Sequence, residues 1–453
     1  RDDVESRGLG DVYKRQEIIM DKMADVLGRA GAWCGQNKYL SAIKNAFQNF
    51  MPLTIAGAIG VLWCNVLVNE STGLGIFFKP IMALEFLNPA FQAVNFCTIS
   101  CITVGITLGI AQEIGVWNMG AEKAGYIPGL VGLAAWLSVT NTSHMVEGAK
   151  EAFTGIAGNE LGATGLFTGM IIGVLSVELF CFFEKQDALK IKMPEQVPPG
   201  VARAFEVLVP ATITLIITAC IGSACYNLTG LYLNDVIKNG IQGPLGAVGA
   251  TIPGVMIIYL VIMLFWLVGI HGNNMLSAVK EALFTPLALE NVEKFNKGEK
   301  PTNIINMYAL QMWGEFGGSG VTIGLVIAIM IFGKREDNKA IATLSLVPGL
   351  FNINETVTFG IPMVLNPILG IPFVVAPLIT IIIGYVLTVI GFCPVACLTV
   401  PWTTPPIVFG FLATGANVMG AVTQAILIVV STVIYVPFLI AYEKYQNKQA
   451  AEA

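Results

Sequence analysis

The feature that most constrains this chain is a long stretch near its C-terminus that carries almost no charge. Between Ala340 and Tyr442, Glu355 is the only Asp, Glu, Lys or Arg. A helix needs about 20 apolar residues to cross the hydrocarbon core of a bilayer, and charged side chains inside such a helix are costly. The sequence therefore predicts an integral membrane protein that crosses the bilayer several times.

Further uncharged runs extend this pattern along the rest of the chain. They cover residues 45–69, 86–112, 124–146, 161–177, 207–234, 239–279 and 316–333. Charged residues make up 12% of the 453 residues, whereas a soluble domain has about 25%. The runs do not alternate in polarity, which disfavours a β-barrel. Their many glycines and prolines are typical of broken membrane helices.

The expected fold class is an all-α polytopic membrane protein with about ten transmembrane helices and two re-entrant hairpins, at 272–315 and 393–418. Basic residues favour the cytoplasmic side of a membrane, and they cluster before the first run, in 184–203 and at the C-terminus. The protein is therefore expected in the inner (cytoplasmic) membrane of a bacterial cell, with both termini in the cytoplasm. The same count places the loop 334–339 on the outer side, although that loop is basic.

The proline-containing charged segment 184–203 also divides the chain. Residues 1–19 are densely charged and are predicted to be a non-native or disordered leader. Residues 20–200 form a first membrane half, and residues 201–453 form a second half that holds every candidate site residue. Within the first half, 38–50 has apolar residues at helical spacing. This favours an amphipathic interfacial helix and equally well the beginning of the first span.

Glu355 is the strongest candidate for a functional residue. It lies alone among about a hundred uncharged residues, in the sequence FNINETVTFG. An ionisable residue at membrane depth is by default a functional site, because its burial is expensive. Its carboxylate can accept hydrogen bonds from solute hydroxyl groups or take up a proton. The alternative is a protonated or paired carboxyl group that braces two helices.

His271 is the second candidate, because it is the only ionisable Asp, Glu, Lys, Arg or His between Lys238 and Lys280. Glycines on both sides allow a close backbone approach to a ligand. Imidazole both donates and accepts hydrogen bonds near neutral pH. Two further residues are open to both interpretations. Glu315 either faces a cavity or lies in a polar turn, and Trp402 either stacks on a sugar or belongs to an interfacial aromatic belt.

Several function classes are disfavoured by the sequence. The net charge of −5 argues against a nucleic-acid partner, which selects a basic surface. Two histidines in the whole chain exclude a multi-histidine metal site, and no metal or other cofactor is expected. The phosphate-binding loop of ATPases, G-x-x-x-x-G-K-[ST], is absent.

Five sequence segments in one order resemble a known family. They are KYLSAIKNAFQNFMPLTIAGAIG near the start, LGATGLF at 161–167, W-x-x-G-I-H-G at 266–272, FNINE…FGIP…NP at 351–367 and PWTTPP…GF at 401–411. They resemble the membrane-spanning IIC component, or permease, of the bacterial phosphoenolpyruvate-dependent sugar phosphotransferase system. The similarity is to its lactose/cellobiose/diacetylchitobiose branch and runs from about Met20 to the C-terminus.

This resemblance implies a function and a set of partners. The chain would bind a disaccharide and carry it inward, where a separate IIB protein, supplied by IIA upstream, donates a phosphoryl group from its phosphocysteine. His271 and Glu355 would contact the hydroxyl group that is phosphorylated, Trp266 would lie close to the sugar, and Asn274 and Asn354 would line its pocket. The resemblance further implies a homodimer formed through the N-terminal half, a moving C-terminal half, and contact with membrane lipid.

One departure and two alternatives remain at this stage. Many relatives have proline after the glutamate of this motif, whereas this chain has Thr356, which restores a backbone N–H group and frees φ. The main alternative function is a proton-coupled secondary sugar transporter with Glu355 as the proton site. The second is a channel, which a lone His/Glu pair without a ring of like residues disfavours.

Overall fold

The computed structural model describes residues 26–30, 32–33, 36–70, 75, 78–144, 153–194 and 196–452. The predicted leader 1–19 lies outside the described residues. The described chain is mostly α-helical, and its two short strands, β1 (Ser143–His144) and β2 (Phe153–Thr154), pair in antiparallel fashion. The expectation of an all-α membrane protein is therefore confirmed at the level of fold class.

The helices of the first half are numbered in chain order. They are α1 (Lys38–Leu62), α2 (Asn88–Cys97), α3 (Ile102–Met119), α4 (Ala121–Ala124), α5 (Ile127–Val139), α6 (Gly158–Leu161) and α7 (Ala163–Glu184). Helix α8 (Pro199–Thr229) begins at the boundary and belongs to the second half. Shorter 3₁₀ or π turns cover Trp63–Leu67, Lys79–Leu87, Ile99–Cys101 and Asp187–Leu189.

Helix α1 begins at a side-chain cap and continues without a break into the first apolar run. The Asn37 Oδ1 atom accepts hydrogen bonds from the backbone N–H groups of Tyr39 and Leu40, both at 3.1 Å. Such a cap satisfies donors that the first turn of a helix leaves unpaired. Because the helix runs on to Leu62, the segment 38–50 is the beginning of the first long helix rather than a separate interfacial helix.

Ion pairs tie several segments together at one end of the molecule, here called the basic end. The Lys38 Nζ atom lies 2.6 Å from the Glu178 carboxylate near the end of α7. The Glu184 side chain is 1% exposed and pairs with Lys123 at 2.8 Å and with Arg203 at 3.0 Å. Two cations on one buried carboxylate offset its desolvation. The N-terminal end of α1 and the segment 184–203 therefore lie together at the basic end.

The remaining helices of the second half are shorter and more often interrupted. They are α9 (Leu233–Ile237), α10 (Gly243–Gly249), α11 (Ile252–Leu267), α12 (Gly272–Met275), α13 (Ser277–Asn296), α14 (Met307–Gly314), α15 (Ile323–Phe332), α16 (Glu336–Leu350), α17 (Glu355–Gly360), α18 (Gly370–Val389), α19 (Val408–Ala413) and α20 (Val418–Glu452). A π turn covers Lys238–Gln242 and a 3₁₀ turn covers Ser319–Val321.

Breaks between short helices of the second half lie around one cavity. The chain reverses between α11 and α13, so that Gly249 packs beside Leu283. The next two helices, α14 and α15, meet at an angle of 60°. Between them Gly317 and Gly318 have φ values of 71° and 87°, which side chains with a Cβ atom rarely adopt. The ends of these helices leave backbone groups that need other partners, and they surround the cavity described below.

The loop 334–339 lies at the same end of the molecule as the C-terminal part of α20. The backbone N–H groups of Lys334 and Arg335 donate to the Glu443 carboxylate at 2.9 and 3.3 Å, and the Arg335 guanidinium donates to Asn447 at 2.7 Å. The expectation that this loop and the C-terminus lie on opposite sides is therefore wrong. The count of uncharged runs treated half-length helices as full crossings.

Six described helices are long and apolar enough to cross a membrane, or seven if the bent pair α14–α15 counts as one span. Two shorter apolar helices, α5 and α11, have 13 and 16 residues. The number of long helices is below the ten expected, because several uncharged runs are divided between short helices. The prediction of a multi-span membrane protein is nevertheless met by this set of helices.

Candidate functional site

A polar cavity of about 250 Å³, here called the first compartment, lies where the half-length helices end. Its walls come from the α12–α13 region, α14, the break before α15, the turn before α17, the segment 402–409 and α20. The predicted site residues that line it are His271, Asn274, Glu315, Asn354, Glu355 and Trp402. Residues more than a hundred positions apart in the sequence, such as His271 and Trp402, thus meet at one cavity.

The predicted residue Trp266 does not line the first compartment but lies behind His271. The two ring centroids are 4.4 Å apart, and Trp266 is 2% exposed. The indole therefore fixes the position of the imidazole by packing against it. The Trp266 Nε1 atom has no hydrogen-bond partner within the described part of the chain.

His271 caps the short helix α12 and presents one nitrogen to the compartment. Its Nδ1 atom accepts a hydrogen bond from the Asn274 backbone N–H group at 3.3 Å. A neutral imidazole that accepts at one nitrogen carries its proton on the other, so Nε2–H is the available donor. The adjacent Gly272 is required here, because a Cβ atom would overlap the Ile262 carbonyl oxygen. The turn therefore holds His271 in one orientation.

Glu355 begins α17 and lies among the exposed residues of the site. The structure gives its carboxylate no hydrogen-bond or ion-pair partner among the described residues. A carboxylate without a partner at a cavity wall retains its full capacity to accept hydrogen bonds from a solute. The bracing role considered for this residue would require a partner group, and the described residues supply none.

Lys280 and Glu315 form a buried ion pair in the wall of the first compartment. Their side chains are 7% and 18% exposed. The Tyr259 hydroxyl group donates to Glu315 at 2.7 Å, and Lys280 also donates to the Asn273 amide oxygen at 3.2 Å. The pair is therefore part of a network in which each charged group has at least two partners. Glu315 faces the cavity, but its carboxylate is already engaged.

Two asparagines connect the chain segments that surround the compartment. The Asn354 side chain is 4% exposed and donates to the Ser319 carbonyl oxygen at 2.8 Å. Asn352 accepts from the Gly317 N–H group at 2.7 Å and donates to the carbonyl oxygens of Trp402 and Thr404. These amides satisfy backbone groups at the helix breaks, as buried backbone groups require.

The structure adds further side chains to those singled out in the sequence, among them Asn273, Lys280, Glu281 and Gln311. Lys280, Glu281 and Gln311 lie in a polar stretch, where an isolated charge gives no signal. The usable signal was the pair of opposite charges, Lys280 and Glu315, each adjacent to an uncharged run. A buried charge is normally paired, so one such residue predicts the other.

The structure combines two features: helices that can span a bilayer, and a polar cavity at the ends of broken helices. Membrane solute transporters have the same arrangement. A family model described as "Phosphotransferase system, EIIC" matches residues 44–377. A curated relative, the oligo-beta-mannoside-specific EIIC component of Bacillus subtilis, is 32% identical over 94% of both chains. The cellobiose-specific EIIC component of Lactococcus lactis is 30% identical over 94% of this chain and 98% of its own.

A solved structure supports the same assignment. The transporter ChbC, the IIC component of an N,N'-diacetylchitobiose-specific phosphotransferase system, has a TM-score of 0.84 and 29% sequence identity. The similarity covers 93% of this chain and 97% of that one. This chain therefore belongs to the EIIC family of the phosphotransferase system and is an integral membrane protein. The resemblance inferred from the sequence segments is confirmed.

Proposed function

We propose that this chain is the sugar-specific permease subunit of a phosphotransferase system. It binds a β-linked disaccharide of the cellobiose or diacetylchitobiose type and delivers it for phosphorylation by a separate IIB protein. The names of the relatives support this proposal, since they refer to cellobiose, diacetylchitobiose and oligo-beta-mannosides. The observation that carries it is the meeting of His271 and an unpaired Glu355 carboxylate at one polar cavity.

The chemistry of the first compartment suits a neutral, hydroxyl-rich solute. Its one described pair of opposite charges, Lys280 and Glu315, is closed on itself. The groups left for a solute are amides, an imidazole N–H, the carboxylates of Glu281 and Glu355, and the half-exposed indole of Trp402. Such a set offers donors, acceptors and an aromatic face.

In the proposed reaction, His271 and Glu355 act on the sugar hydroxyl group that receives the phosphoryl group. The Nε2–H group of His271 donates to the hydroxyl oxygen and orients it. As the oxygen attacks phosphorus, the Glu355 carboxylate takes the hydroxyl proton as general base. The O–P bond forms, the S–P bond of the IIB phosphocysteine breaks, and the thiolate leaves on IIB.

The proposal extends to the assembly and its orientation. Residues 20–200 form the dimerising half and residues 201–453 the sugar-binding half that moves, with the segments 272–315 and 393–418 entering the membrane and returning. Support comes from the first compartment, whose walls come from the second half alone. Both termini face the cytoplasm, where IIB, charged by IIA, reaches the sugar, and lipid covers the exposed apolar helices.

Uptake of labelled cellobiose and diacetylchitobiose tests the function in cells that lack their own systems for these sugars. The chain is expressed with and without its IIB protein. Sugar phosphate that appears inside only when IIB is present supports the proposal. Accumulation of unmodified sugar without IIB, abolished by a protonophore, contradicts it and makes the chain a proton-coupled transporter.

A further inference from the structure

A second cavity of about 420 Å³, here called the second compartment, adjoins the first. Four residues line both compartments, namely Asn274, Glu281, Gln311 and Trp402. One wall of the second compartment belongs to α1, in the first half of the chain, where Lys44, Gln48 and Met51 lie on one face of the helix. The proposed reaction gives Lys44 no role.

Carboxylates around the compartments oppose the arrival of a phosphoryl group. Glu281 lines both compartments and Glu355 lines the first. Neither carboxylate forms an ion pair with a described residue, although Glu281 accepts a hydrogen bond from the Thr285 hydroxyl group. A phosphoryl group carries about 1.5 to 2 negative charges at neutral pH, and like charges repel most strongly away from water. Transfer at this site therefore needs a compensating cation.

Two cations line the described walls of the compartments, and one of them is already engaged. Lys280 lines the first compartment and is paired with Glu315. Lys44 lines the second, is half-buried, and forms no ion pair with any described residue. A lysine ammonium group binds phosphate as a point charge on a flexible stem. Of the two cations, Lys44 is therefore the one available to a phosphoryl group.

The position of Lys44 also fits the direction from which the phosphoryl group comes. Lys44 follows Lys38 by about 9 Å along the helix axis, and Lys38 belongs to the basic end. A narrow gap lined by Lys44 and Asn274 continues past Ser41 toward that end. Because the Asn274 backbone N–H group donates to His271, Lys44 lies across this gap from the turn that holds His271. The proposed function places the basic end in the cytoplasm, where IIB is.

We infer that the Lys44 ammonium group binds the phosphoryl group during transfer and then the phosphate group of the product. This inference rests on the proposed function, in which the O–P bond forms, the S–P bond breaks and Glu355 takes the proton. Lys44 supplies charge alone and exchanges neither a proton nor a bond. Since Lys44 belongs to the first half and Glu355 to the second, transfer is then favoured only while the sugar-binding half stands beside α1.

Substitutions at Lys44 test the inference against an exposed lysine at the same end of the molecule. Lys44→Gln removes the charge and keeps a polar side chain, and Lys44→Arg keeps the charge. Lys185→Gln is the matched control, because Lys185 is exposed and lines neither compartment. The purified full chain is assayed with phosphorylated IIB for kcat and for the KM of IIB. Calorimetry measures its affinity for cellobiose or diacetylchitobiose, whichever is transported, and for the sugar phosphate that the wild-type chain produces.

The inference predicts that Lys44→Gln lowers kcat at least about tenfold and weakens binding of the sugar phosphate about tenfold, with unchanged affinity for the unmodified disaccharide. Lys44→Arg retains most of both, and Lys185→Gln behaves as wild type. An unchanged kcat, an equal loss of disaccharide binding, or a rise in the KM of IIB alone overturns the inference. Absence of sugar phosphate with the wild-type chain and IIB instead overturns the proposed function.

Discussion

The buried pair of Lys280 and Glu315 provides the sharpest test of how the second half of the chain is held together. Lys280→Met removes the ammonium group and keeps a side chain of similar length. The Glu315 carboxylate, 18% exposed, then retains only the Tyr259 hydroxyl group as a described partner. The variant isolates the cost of a buried charge without its counter-ion.

The expected cost follows from the burial of the pair. Removal of one partner from a buried ion pair typically costs about 3–5 kcal/mol. We expect a value near the lower limit, because the Tyr259 hydroxyl group still donates to Glu315 and the first compartment offers space for water. In the double variant with Glu315→Gln no carboxylate remains unpaired. We therefore expect the double variant to recover most of the stability lost in the single one.

Thermal unfolding of the detergent-solubilised protein measures this effect. A loss of about 3 kcal/mol corresponds to a decrease in Tm of about 3 °C, because the unfolding entropy of about 2.1 cal/mol/K per residue is summed over 453 residues. Lys297→Met is the matched control, because the Lys297–Glu293 pair is 58% and 39% exposed and such surface pairs contribute about 0–1 kcal/mol. A Tm of Lys280→Met equal to that of Lys297→Met, or a double variant less stable than the single one, would show that the unpaired Glu315 carboxylate carries no such cost.

Three further substitutions address the reaction, the packing and the loop. Glu355→Gln should retain sugar binding and lose about 10²–10⁴-fold in IIB-dependent phosphorylation, measured as sugar phosphate formed in membrane vesicles; loss of binding as well would make Glu355 a binding group only. Gly384→Ala should cost about 1–3 kcal/mol by overpacking, because a Cβ atom there would overlap the Trp313 indole; an unchanged Tm would contradict this packing. Glu443→Ala should cost about 1–3 kcal/mol, since it leaves two backbone N–H groups without their acceptor; faster proteolysis of that loop is the second readout.

Controls for two of these variants are available at exposed positions. Glu293→Gln removes a carboxylate outside both compartments and should leave phosphorylation unchanged. Gly391, just after α18, has open space around it but a φ of 79°, so it is unsuitable for comparison with Gly384. The exposed Val386 in the same helix is suitable, and Val386→Ala should change the free energy of unfolding by no more than about 0.5 kcal/mol.

The candidate residues found in the sequence were those whose charge or polarity stood alone. His271 and Glu355 are conspicuous in uncharged surroundings, and both line the first compartment. Lys280 and Gln311 lie in a polar stretch, where composition does not separate a cavity wall from a solvated turn. Trp266 was predicted near the sugar, and its place behind the imidazole ring depends on packing that the sequence does not specify.

From the sequence alone one could predict that this protein lies in a lipid bilayer, that it is α-helical and to which family it belongs. Apolar runs long enough to span a bilayer leave few alternatives, because backbone groups in lipid must be paired within a helix. Helix length along a run was not determined. The runs 239–279 and 316–333 contain glycines whose φ values become fixed only when neighbouring segments pack against them. At Gly318, for example, a Cβ atom would lie 2.7 Å from the Asn354 side chain.

That the loop 334–339 lies beside the C-terminal part of α20, and which groups line the cavity, could be learned from the folded chain only. Both depend on where the half-length helices end, because a helix that ends within the bilayer and turns back returns the chain to the side from which it entered. The positions of charged residues identify an uncharged run but do not show how far the helices in that run extend into the bilayer. Contacts between distant segments, such as those of Glu443 with the loop and of Asn352 with Trp402, fix that depth, because each satisfies polar groups that a broken helix leaves open.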